Sequence, residues 1–196
     1  MIIHFFRERT KPRIDFYQLV DGYFDNLENC VIKSNDDEVE ISINMSNFDF
    51  TYKFLITKRS RVSSLYRLNR DYTNLHFLCE IPSVLPQYIS RLIFKQISEI
   101  CEKFELAVYC DLFDNIHSFD MFELITALGK DRVKYLEENE DVVTYKVPMP
   151  VLNEMCCYQS MINELPSLVK GDVIVKKYNI MREKRTKIVC TSISWK

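Results

Sequence analysis

Glycine is nearly missing from this chain: Gly22, Gly129 and Gly171 are the three in 196 residues. A loop that cradles phosphate with its backbone N–H groups needs several glycines close together. Neither G-x-G-x-x-G nor G-x-x-x-x-G-K-S/T occurs. Histidine is as scarce, at three. His4, His76 and His117 are far apart, so the helical metal pair of H-E-x-x-H cannot form. The seven cysteines contain no C-x-x-C, and Cys156 and Cys157 are adjacent. An odd count without even spacing predicts reduced thiols in a cytosolic protein, not a disulfide framework. G-x-S-x-G is absent too. No window approaches the roughly 20 apolar residues of a membrane helix. Residues 1–6 form a short apolar run followed by Arg7, Glu8, Arg9, Lys11 and Arg13, the reverse of a secretory leader. These absences predict a cytoplasmic protein with no membrane segment, no cofactor and no nucleotide loop. Alanine occurs only at Ala107 and Ala127, while Ile, Asn, Lys, Phe and Tyr are common. Their AT-rich codons predict a low-GC genome.

What is present can fill a core. The chain is 47% hydrophobic and 13% aromatic, the opposite of a disordered composition. Residues 75–81 alternate, with Leu75, Phe77, Cys79 and Ile81 on one side, as in a strand with one buried face. Pro82 and Pro86 end it. Ile89, Leu92, Ile93, Ile97, Ile100, Cys101 and Phe104 then recur at three- and four-residue steps and predict an apolar helix stripe. The apolar run 106–110 reads as a buried strand, which completes a βαβ unit.

Upstream, residues 2–6 predict a strand and Pro12 suits the start of a helix running to about Asn29. Asn35, Asp36 and Asp37 read as a turn. Alternation over 39–44 and 48–56, across Ser46 and Asn47, predicts a hairpin. Residues 60–71 read as a polar, basic connection. Downstream, Ser118 is a candidate cap for a helix that presents Phe119, Phe122, Ile125 and Leu128 to the core and ends at Gly129. Val133 and Leu136 suggest a further short helix, 142–147 a strand, and Pro150 the opening of another helix. Residues 172–179 and 186–195 read as a hairpin with 181–185 at its tip.

The predicted class is therefore α+β: a mixed, mainly antiparallel sheet with helices packed on it. The order β-α-β-β-(β)-α-β resembles ferredoxin-like folds with one strand added, followed by C-terminal helices and a β-hairpin. One domain, 1–196, is expected, with a core over 1–111 and an extension over 112–196.

Charge supplies the candidate sites. The net charge of −2 hides alternating blocks. Residues 15–49 hold nine acids and only Lys33, and residues 99–141 hold twelve acids against four bases. Residues 53–70 hold six bases and no acid, and residues 170–196 hold eight bases against two acids. Neighbouring blocks can pair with each other, each exposed pair being worth at most about 1 kcal/mol, or they can form separate patches. Three readings follow. The first is a non-catalytic, cytosolic protein-binding module, in which an acidic patch at Glu137, Glu138, Glu140 and Asp141 meets a basic protein partner. An immunity or inhibitor role is one form of it. The second is nucleic-acid binding through blocks 53–70 and 170–196. Arg59, Arg61, Lys184 and Arg185 would then meet phosphates, and Tyr66, Tyr178 and Trp195 would be available for stacking. The third is a divalent-cation-dependent enzyme using Asp111, Asp114, Asp120 and Glu123: the first two follow a buried strand, the last two share a helix face, and hard cations take such oxygen ligands. A Cys–His pair assembled from distant segments is a further arrangement to look for.

Overall fold

A computed structural model describes residues 1–141, 147–168, 179–182 and 189–192. β1 (Ile2–Glu8) leads into α1 (Phe16–Tyr23) and a 3-10 turn (Phe24–Asn26). A run of antiparallel strands follows: β2 (Cys30–Ser34), β3 (Glu38–Met45), β4 (Phe50–Thr57) and β5 (Tyr72–Glu80). α2 (Gln87–Phe104), β6 (Ala107–Tyr109), β7 (His117–Ser118) and α3 (Met121–Glu138) come next. The chain then forms α4 (Met149–Met161), the single turn α5 (Leu165–Leu168), β8 (Asn179–Arg182) and β9 (Val189–Ser192). The seven-stranded sheet has the order β2-β3-β4-β5-β1-β6-β7, and every neighbouring pair is antiparallel. This is an α+β fold.

The expected βαβ unit is split. β5 and β6 run parallel on either side of α2, but β1 lies between them and pairs antiparallel with both. The sheet is therefore antiparallel throughout and not mixed, because the parallel strands never touch. Two short strands escaped the sequence pattern. β2 is an edge strand whose residues 31–34 are all exposed, so no hydrophobic alternation marks it. β7 has two residues, too few to show a period. The turn at Asn35 is present: its Oδ1 accepts the N–H groups of Asp37 and Glu38 at 2.8 and 2.9 Å and folds β3 back on β2.

α2 carries the main core. Ile89, Ile93, Phe94, Ile97 and Ile100 are buried against the sheet, whereas Leu92 is 38% exposed. The helix faces Phe5, Phe54 and Phe77, whose rings stack across β1, β4 and β5. Leu124 and Leu128 of α3 join the same core, so it continues past residue 111. α3 is a single helix through Gly129 and not two. Its cap is Asp120, whose carboxylate accepts the Glu123 N–H at 2.9 Å, and not Ser118. Phe122 is 77% exposed. Pro150 sits in the first turn of α4, as expected. Gln159 of α4 donates to the carbonyl of Asn47 at 2.5 Å and ties the helix to the β3–β4 turn.

The opposite face of the sheet is covered by the 60–71 connection. The row Leu55, Leu78, His4 and Tyr109 lies across it, with Phe6 and Ala107 one step along. Val62 and Leu68 from the connection pack on Phe6, Ala107, Tyr109 and Ile116 and are 7% and 6% exposed. A segment that reads as polar in sequence thus acts as a strap. Among the described residues, three non-glycines adopt positive φ: Asp49 (50°), His76 (55°) and Glu105 (51°). Of the C-terminal hairpin, β8 and β9 pair antiparallel. Met181 and Arg182 lie in β8 and not at the tip. The expected strand at 142–147 falls, except for Val147, outside the described residues.

Candidate functional site

The basic block 53–70 divides in two. Arg61 is spent structurally: its guanidinium contacts Glu38 at 2.8 Å and Glu80 at 3.1 Å. Lys53 sits between Glu40 and Glu80 at 3.3 and 3.6 Å. Hydrogen bonds from Ser42 and Lys53 hold the Glu40 carboxyl below its ordinary pKa. The acids of β3 therefore neutralise part of the neighbouring block. Arg59 is exposed and makes no ion pair among the described residues. Lys184 and Arg185 lie outside the described residues.

The carboxylates proposed for a cation do not converge. Asp120 is committed to capping α3. Glu123 lies 3.1 Å from Nε2 of His117. Asp111 and Asp114 are exposed on the loop after β6. Among the described residues, no three His, Cys, Asp or Glu side chains are grouped to hold a metal ion. Glu137, Glu138, Glu140 and Asp141 are all exposed at or just beyond the end of α3, with one pair, Lys134–Glu138, at 3.9 Å.

The buried thiols are poor nucleophiles. Desolvation raises Cys110 to about 11, Cys101 to about 12 and Cys79 well above its ordinary value. An activated cysteine needs the reverse.

Arg70 of the 53–70 block meets bases of the N-terminal segment at one end of the sheet. Between the 62–70 strap, the end of β1 and the start of β5 is a cleft of about 640 Å³. Its apolar base includes Phe6, Val62, Leu68 and Ile116; Arg9, Arg70, Tyr66, Tyr72, Asn74 and His76 are among its other lining residues. No described Asp or Glu lines it. A second cleft of about 580 Å³ shares Arg9, Thr73, Asn74 and His76 with the first and is also lined by Arg7, Lys11 and Arg13, with Glu8 the single acid among its described residues. The two clefts adjoin at the four shared residues and are together termed the groove.

Local chemistry builds this groove rigidly. β5 carries two extra residues, Leu75 and His76, opposite the Phe5–Phe6 step, and His76 takes the left-handed conformation there. The His76 N–H donates to Asn74 Oδ1 at 2.7 Å, and Asn74 Nδ2 donates to Ser60 Oγ at 2.8 Å. The ring Nδ1 lies 3.1 Å from the Lys58 carbonyl. A carbonyl only accepts, so Nδ1 carries the proton and Nε2 is the other, available nitrogen. Asn115 Oδ1 accepts the backbone N–H groups of Asn69 and Ile116 at 2.9 and 2.8 Å and anchors the strap. The Arg9 N–H donates to the Asp71 carbonyl at 2.8 Å.

Arg7 and Lys11 have a structural task as well. Arg7 donates to the Phe104 carbonyl at 2.9 Å, and Lys11 reaches Glu105 at 2.9 Å. Both cations thus sit at the C-terminus of α2, where the helix dipole favours them. Arg9, Arg13 and Arg70 have no carboxylate partner among the described residues. They remain available to an anion. The sequence signal for this site was the run Arg7, Arg9, Lys11 and Arg13, which counted above only against a secretory leader. No family model, curated protein or solved structure matches the chain.

Proposed function

We propose that the chain binds nucleic acid through this groove and performs no chemistry there. One observation carries the reading: arginines without a carboxylate partner line two adjoining clefts that hold, among the described residues, a single acid. Phosphates are attracted to such a surface, and low-dielectric walls focus the field. The base set differs from the one expected from sequence. Arg9, Arg13 and Arg70 take the role given to Arg61, which is neutralised within the fold. Binding of a labelled oligonucleotide to the full chain, followed against salt, tests the proposal. Engagement of about three phosphates gives a log–log slope of roughly −2 for a single strand. Undetectable binding at low salt contradicts it.

A second reading, a basic protein partner at Glu137, Glu138, Glu140 and Asp141, is favoured by a different observation. Glu137 and Glu138 occupy the last turn of α3, which contains no base. Acids there oppose the helix dipole, so they carry a stability cost that a partner's positive charge would offset. Charge reversal of the four residues should then slow association with that partner.

A further inference from the structure

We infer that the groove takes single-stranded nucleic acid, with an unpaired base stacked on Tyr66 and the flanking phosphates on Arg9 and Arg70; this rests on the nucleic-acid reading above. Tyr66 is 72% exposed and lines the same cleft as both arginines. It is held in place. The 3-10 turn Leu65–Arg67 that bears it is closed by the Arg67 N–H to the Ser64 carbonyl at 3.0 Å, and Leu68 anchors the turn in the core beneath. The Arg67 guanidinium carbon lies 5.4 Å from the centroid of the Tyr66 ring, and Arg67 Nε donates to the phenol oxygen at 3.1 Å. With that much of its surface in solvent, the ring still has area to offer a base. A positioned ring beside arginines is the combination that single-stranded binders use, and base–aromatic stacking tolerates any sequence.

The walls argue against a duplex. Reading a duplex from its major groove takes a helix or a two-stranded ribbon projecting from the protein. Both clefts are lined by strand ends, connections and one 3-10 turn, with no described α-helix among them. Bases in a duplex are already stacked on each other and cannot reach Tyr66.

The test compares a labelled 12-nucleotide single strand with the duplex of the same sequence. Anisotropy is read on the full chain and on Tyr66→Ala, Tyr66→Phe and Arg9→Ala/Arg70→Ala. The single strand should bind more tightly than the duplex. Tyr66→Ala should weaken the single strand about 5- to 150-fold, and Tyr66→Phe, which keeps the ring, should retain most of the affinity. Tyr66 is exposed, so an unchanged melting temperature for Tyr66→Ala will separate lost stacking from lost folding. Equal binding of duplex and single strand, or an inert Tyr66→Ala, would overturn this inference. If Arg9→Ala/Arg70→Ala still abolished binding in that case, the nucleic-acid reading would stand without it. If neither strand form binds the parent chain, both fall.

Discussion

His4 is 4% exposed and packs beside the Tyr109 ring on the strap side of the sheet. Desolvation lowers its pKa below the ordinary 6.5; the field of Asp111 opposes the shift and that of Arg61 adds to it. The unfolded chain therefore binds a proton more readily than the folded one. The stability His4 protects is complete above about pH 6.5 and is lost as pH falls from there through its folded value. Glu40 acts in a separate window, because its lowered pKa removes stability only below 4.5. Denaturant titrations between pH 7.5 and 5 should show the parent chain weakening and His4→Leu staying flat. Equal slopes for the two would show that His4 is not a buried neutral base. With so few glycines, Asp49, His76 and Glu105 hold turns that a glycine would adopt without steric cost. His76 is the one of these that lines the groove.

The helices make their own predictions. Ile97 is fully buried at the centre of α2 and Leu92 is 38% exposed. Ile97→Ala should cost about 2–5 kcal/mol, and Leu92→Ala less than about 1 kcal/mol, by equilibrium unfolding. Similar losses would contradict the helix face. At the end of α3, Glu137→Lys should stabilise by roughly 0.3–1 kcal/mol at low salt, since a cation replaces an anion at the negative end of the dipole. A lower melting temperature for this variant would contradict the dipole account. Elements with a strong period were legible from sequence: β3 and β4 by alternation, and α2 by its stripe. Misreadings came where another force prevailed. Leu92 fits the helical step but lies at the stripe's margin, while Phe94, omitted from the pattern, is buried. Gly129 looks like a helix end, yet α3 runs through it because its neighbours Leu124, Ala127 and Leu128 are buried. Edge strand β2 has little to bury and so shows no pattern.

In the folded molecule the groove draws its lining from segments 6–14 and 62–76 and from Ile116. Its members are distant in sequence and come from segments that read as an N-terminal strand end and a polar connection. Charge blocks in the chain predicted that bases would matter. Only the fold shows which bases are consumed by β3 acids, which hold the end of α2 and which face the groove. Arg61 and Arg9 look alike in sequence and differ in the fold because Glu38 and Glu80 lie beside Arg61. The arginines of this groove are proposed to hold nucleic-acid phosphates. That role is tested most directly by the salt dependence of oligonucleotide binding to the parent chain and to Arg9→Ala/Arg70→Ala. Loss of two phosphate contacts should make the log–log slope shallower by about 1.4 and leave the melting temperature unchanged. An unchanged slope and affinity in the double variant would show that Arg9 and Arg70 hold no phosphate.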